Sequence, residues 1–296
     1  MVSYNRILLD NAYEAWYQAI KYARKIKAGL VSLQYRKAFI SNLHNAIELF
    51  LKQIMIDQND HRVTSVKFDK LDALGEPLKG YYNNNNLNQF FAIIPVDQRK
   101  KFFSIEFKDL IALHKTILNG FLSSGQSYTT ELNLLKKYRN DETHFFISSQ
   151  DFLNEQDYVL LHNFMIDFNN VLVYYDLVPL LNKPFIDDNG LSFVDIKLNS
   201  DFSYKNVLLN SNGIKIISET INGELIENNS CSLYLLADFF KYVDKDNKLN
   251  FEDAYGYIQS MFDYNILDFE PYIVEAEYPY EGYSPQCRGY YVVINL

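Results

Sequence analysis

The chain has 296 residues, 48% hydrophobic and 16% aromatic, enough to bury a sizeable core and to divide into two domains. Its net charge of −9 argues against an extended basic surface, and so against a general duplex-binding protein. Cys231 and Cys287 are its two cysteines and make no disulfide framework; no run of about 20 apolar residues occurs, so a cytoplasmic protein with no membrane span is expected.

Near the N-terminus, Asn5, Arg6, Asp10, Asn11 and Glu14 stand where a signal peptide would need an apolar core. The spacing of Ala12, Ala15, Trp16, Ala19, Ile20 and Ala23 predicts an amphipathic helix over 4–28, ended or weakened at Gly29. A second helix is expected over 35–57, with Phe39, Leu43, Ala46, Ile47, Phe50, Leu51 and Ile54 on one face. Residues 58–96 hold Gly75, Pro77, Gly80, the Asn83–Asn86 run and Pro95. They read as a long connection carrying short strands or a helical turn, with the Asn run as solvated loop. Helical pattern resumes over about 97–122 and breaks at Gly120 and Ser123-Ser124-Gly125. Thr129 or Thr130 is placed to cap a helix over about 130–147. A last helix over 151–178 offers Phe152, Leu160, Leu161, Phe164, Phe168 and Val171 to the core, and five such helices suit an antiparallel bundle.

The texture changes near Pro184. Short alternating runs at 191–198, 202–209, 213–220 and 224–227 predict strands, with hairpin turns at Asn210–Gly213 and Asn222-Gly223. Helices over about 231–243 and 251–262 follow, then strands over 270–278 and 288–295. The expected architecture is therefore α+β: a helical bundle over 1–183, then a smaller α+β domain over 184–296 with a mainly antiparallel sheet. Charge divides the same way. Residues 1–183 carry 21 basic and 19 acidic side chains, leaving +2, whereas residues 184–296 carry 7 and 18, leaving −11.

The chemistry-bearing stretch is Tyr138-Arg139-Asn140-Asp141-Glu142-Thr143-His144. Imidazole titrates near neutral pH and can take a proton from a ribose 2′-hydroxyl or give one to the leaving 5′-oxygen. Guanidinium is permanently charged and forks onto two phosphorane oxygens, so it stabilises the charge that develops there. Asn140 is placed to orient either the imidazole or a phosphate oxygen. Lys136 and Lys137 abut the motif as phosphate contacts. Upstream, His44 and Glu48 share a helix face at i, i+4 and are candidates to line the same cleft. Arg139 and His144, at i, i+5, lie about 140° apart on an ideal helix, so one copy closes the site poorly.

The Arg-x4-His motif, with Asn directly after Arg and the apolar segment Asn45–Met55 upstream, resembles the HEPN superfamily of small helical bundles over roughly residues 1–183. That resemblance implies a metal-independent endoribonuclease cutting single-stranded or looped RNA, with no cofactor. It also implies a site assembled across a homodimer and a role as a toxin or an antiviral abortive-infection effector. Arg139, Asn140 and His144 would be the catalytic set. The acidic segment would then restrain the nuclease, or bind a trigger or neutralising protein. The alternative is a non-catalytic bundle of the same type, used for dimerisation or nucleotide binding.

Weaker signals point elsewhere and fail. Asp244–Asp253 resembles a calcium loop, but Lys248 occupies its fifth position and Leu249 stands where Gly is needed. No Gly-rich phosphate loop is present, and the two cysteines are too far apart for a zinc motif. The tyrosines near the C-terminus suit a sheet core better than a base-stacking platform.

Overall fold

The computed structural model describes residue 6 and residues 8–65, 71–95, 98, 102–141, 152–178, 197–221, 225–227, 249–273 and 287–294. Over these the chain is mostly helical. It forms two compact units, one of residues 1–21, 38–146 and 156–200, the other of residues 22–37, 147–155 and 201–296.

The first unit takes most of helices α1 (Leu9–Lys27) and α2 (Leu33–Asp57), then α3 (Leu78–Asn83), α4 (Leu87–Ile93), α5 (Phe107–Ile117), α6 (Thr129–Asp141) and α7 (Glu155–Tyr174). Small residues recur on α1 at Ala12, Ala15 and Ala19, all buried, and Trp16 fills the space beside them. Its indole meets Phe50 of α2 edge-on at 5.9 Å, and Phe50 in turn lies 6.4 Å from Phe168 of α7. Phe39 and Tyr158 make a second edge-on pair at 5.3 Å. These aromatic contacts between α1, α2 and α7 are the bundle core that the 3.6-residue pattern anticipates.

Residues 58–96 are more ordered than a long connection. A 3₁₀ turn (His61–Val63) leads into strand β1 (Thr64–Ser65), which pairs antiparallel with β2 (Phe103–Ser104). Leu78 of α3 and Phe90 of α4 then form a cluster with Leu71 and Ile94, which flank the two helices. The Asn run is the hinge between them. Asn85 sits at φ 54°, a left-handed conformation that asparagine tolerates, and the Asn86 side chain accepts from the Gln89 amide to cap α4. The single helix expected over 97–122 is also corrected, since β2 precedes α5 and the helix proper begins at Phe107.

In the second unit the runs at 202–209 and 213–220 are helices, α8 (Tyr204–Leu209) and α9 (Asn212–Ile221), where strands were expected. Ser203 accepts from the Asn206 amide and starts α8, while Ser211 accepts from the Ile214 amide and starts α9. Asn210–Gly213 is thus a helix-to-helix joint rather than a hairpin turn. Helix α10 (Phe251–Asp263) lies as expected, capped by the Asn250 side chain on the Asp253 amide. Strands β3 (Leu225–Glu227), β4 (Leu267–Ile273) and β5 (Cys287–Ile294) form an antiparallel sheet in the order β3-β5-β4. The strand expected at 191–198 lies almost wholly outside the described residues, as do the helix at 231–243, the turn at Asn222-Gly223 and the calcium-like loop up to Lys248.

Polar groups knit this second unit. Lys25 reaches Asp253 at 2.8 Å and Glu252 at 3.3 Å, the Val31 amide donates to Ser260 Oγ, and Tyr257 donates to the Ala28 carbonyl at 2.8 Å. Arg36 is buried and spends its guanidinium on two backbone carbonyls, Val31 at 3.0 Å and Phe152 at 2.5 Å. Gly256 permits a close approach, because a Cβ there would fall 2.4 Å from the Tyr35 ring.

Candidate functional site

Helix α2 sets His44, Glu48 and Lys52 along one face at i, i+4 and i+8. Glu48 is the hub. Lys52 Nζ donates to its Oε1 at 2.5 Å, and His44 Nδ1 lies 3.8 Å from its Oε2, beyond hydrogen-bond length. Lys52 is itself buried and donates a second bond to Ser104 Oγ at 3.0 Å, so β2 is tied to the same face.

His44 lies against the Phe107 ring, centroids 4.1 Å apart, at the start of α5. Burial pushes its pKa down to about 4, against the pull of Glu48, and the positive charges of Arg139 and Lys52 push it the same way as burial. The imidazole is therefore neutral at pH 7. A base of that strength is poorly matched to proton abstraction at neutral pH, so His44 is suited to hydrogen bonding and not to carrying the proton.

Arg139 comes from α6, and its charge is one of those that lower the His44 pKa. Two anchors fix α6. Tyr138 is buried and donates to Asp157 Oδ2 of α7 at 2.5 Å. At the other end, His114 Nδ1 bonds the Ile111 carbonyl at 2.7 Å, and its Nε2 accepts from the Tyr128 amide at 3.2 Å. Those two partners together require the neutral imidazole with its proton on Nδ1. Thr129 is the first helical residue rather than the cap. Its amide is taken by Ser127 Oγ at 3.1 Å.

Arg139 is half-buried, Lys136 half-buried, and Lys137 and Asn140 exposed. Lys137 Nζ lies over the Tyr138 ring at 4.6 Å from its centroid. His144 lies outside the described residues, and the geometry of the Arg139–His144 pair with it. The structure thus groups His44, Glu48 and Lys52 on one helix face, with the Arg139 charge acting on His44. Sequence spacing paired His44 with Glu48 but missed Ser104 and Phe107, which arrive from β2 and α5 with no local signal. Of the other described histidines, His61 bonds Asn85 and His162 is buried beside Tyr158. Among the described residues, no three His, Cys, Asp or Glu side chains converge as a metal site requires, and no helix is long and apolar enough to cross a membrane. No family model matches the chain, and no characterised protein or solved structure is significantly similar to it.

Proposed function

We propose that the chain is a metal-independent endoribonuclease of HEPN type that cuts single-stranded or looped RNA. We further propose that it acts in the cytoplasm as a toxin or abortive-infection effector. The observation that supports this reading is the charge of Arg139, a residue of the Arg-x4-His motif, acting on a neutral His44 that shares a helix face with Glu48 and Lys52. Lys136 and Lys137 draw the RNA backbone in. Arg139 forks onto the scissile phosphate and stabilises its developing charge. His144 moves the proton, Asn140 orients it or a phosphate oxygen, and neutral His44 hydrogen-bonds a sugar or phosphate oxygen. The bundle over 1–183 provides the site, a second copy closes it, and the acidic segment over 184–296 restrains access or receives a trigger protein.

One observation favours the second reading, a non-catalytic dimerisation or nucleotide-binding module. Glu48 and Lys52 satisfy each other at 2.5 Å, as a purely structural pair would. Expression in a bacterial host separates the two. A ribonuclease arrests growth and degrades RNA, and His144→Ala relieves both, since loss of an acid or base costs about 10²–10⁴ in rate. Equal growth and intact RNA with wild type and variant would favour the module.

A further inference from the structure

The first unit holds a cavity of about 320 Å³ lined in part by Lys52. Its wall is apolar, built from Leu49, Ile56, Val63, Phe91, Ile94 and Phe102. Ile56, Val63 and Ile94 are buried, whereas Ser104 is exposed, so the cavity runs from a wet rim to a dry interior. Its polar groups are few. Thr64 has committed its hydroxyl proton to the Phe103 carbonyl at 2.9 Å. Lys52 gives two of an ammonium's three N–H bonds to Glu48 and Ser104. Ser104 accepts one of these and keeps its own O–H to donate. The cavity therefore offers two donors side by side at its edge: the Ser104 hydroxyl and the third N–H of Lys52, a cation that is 6% exposed and already paired with Glu48.

We propose that this cavity binds a medium-chain carboxylate, with the acyl chain among Leu49, Ile56, Val63, Phe91 and Ile94 and the headgroup on Lys52 and Ser104. Two adjacent donors match a group that only accepts, and an ionised carboxylate accepts more strongly than a neutral oxygen. An apolar wall with a few placed polar groups is the usual form of a small-molecule site. Size sets the chain length. A cavity of about 150 Å³ holds benzene, so one of twice that volume takes about twelve heavy atoms, the size of decanoate. The exposed rim leaves the headgroup partly hydrated, which limits its desolvation cost.

Calorimetric titration of the full chain with decanoate, 1-decanol and decylammonium tests this independently of any RNA cleavage. Decanoate should bind saturably, one per chain, about tenfold tighter than decanol, with decylammonium weakest. Ser104→Ala should weaken decanoate about threefold to tenfold and decanol less, because an ionised carboxylate accepts more strongly than a hydroxyl; Ser104 is exposed, so its loss does not threaten the fold. Val63→Trp, which puts bulk into the cavity wall, should abolish both. Lys52→Gln should remove the preference for decanoate; if it fails to fold, Ser104→Ala decides the headgroup alone. Equal affinity for decanol and decanoate, a preference for decylammonium, or no saturable binding of any of the three would overturn the proposal.

Discussion

His44 is a titratable group held in the form that the site can use. Its pKa of about 4 lies below the ordinary 6.5, so the folded protein resists protonation that the unfolded chain accepts. At pH 7 both states are neutral and nothing is lost. As pH falls from 6.5 toward 4 the unfolded chain binds the extra proton and stability drops, reaching the full penalty below about 4. The loss is about 2 kcal/mol by pH 5. Urea denaturation of wild type and His44→Gln at pH 7.5 and pH 5 should show the wild type losing about that much more than the variant. Parallel losses would mean that His44 is not shielded. The i, i+4 spacing made His44 and Glu48 legible as a pair from sequence. It could not show that the imidazole is neutral, because Phe107 and Arg139, which help to set its environment, lie 63 and 95 residues further along the chain.

Helix α6 carries the motif, and its placement depends on the Tyr138–Asp157 and His114–Tyr128 anchors. Tyr138→Phe removes a bond to a carboxylate and should cost about 1–2 kcal/mol in thermal or chemical denaturation. RNA cleavage should fall further than that loss explains if α6 must be held for Arg139 to act. In the second unit, Gly256→Ala drives a methyl into the Tyr35 ring and should destabilise by about 1–3 kcal/mol, with no change expected in the residues around Arg139. The long helices were legible because α1, α2 and α7 repeat apolar residues over several turns. Helices α8 and α9 were not, because segments of 6 and 10 residues fit either period. Ile214 and Ile216 alternate as a strand would, while buried Ile214 and Ile217 follow a helix; Ser203 and Ser211 decide for helix by capping. Helices α3 and α4 hid behind the Asn run, which reads as loop until Asn86 is recognised as a cap.

Over the whole molecule, charge separates sharply, with +2 over residues 1–183 and −11 over residues 184–296. Removing the acidic segment outright is a poor test of restraint, since it would strip Ser260, Tyr257 and Asp253 from Val31, Ala28 and Lys25. Neutralising exposed acids such as Asp201 and Glu219 in the full chain is gentler. It should raise RNA cleavage at low salt, with the gain fading as salt screens it. Light scattering should give about twice 34.7 kDa if a second copy completes the site. Ribonuclease chemistry itself is tested most directly by incubating purified wild type, Arg139→Ala and His144→Ala with single-stranded RNA in excess EDTA and identifying the ends. Wild type should cut and leave 2′,3′-cyclic phosphates, and both variants should lose at least about a hundredfold in rate. Ends bearing 3′-hydroxyls, or cleavage that persists unchanged in both variants, would contradict it.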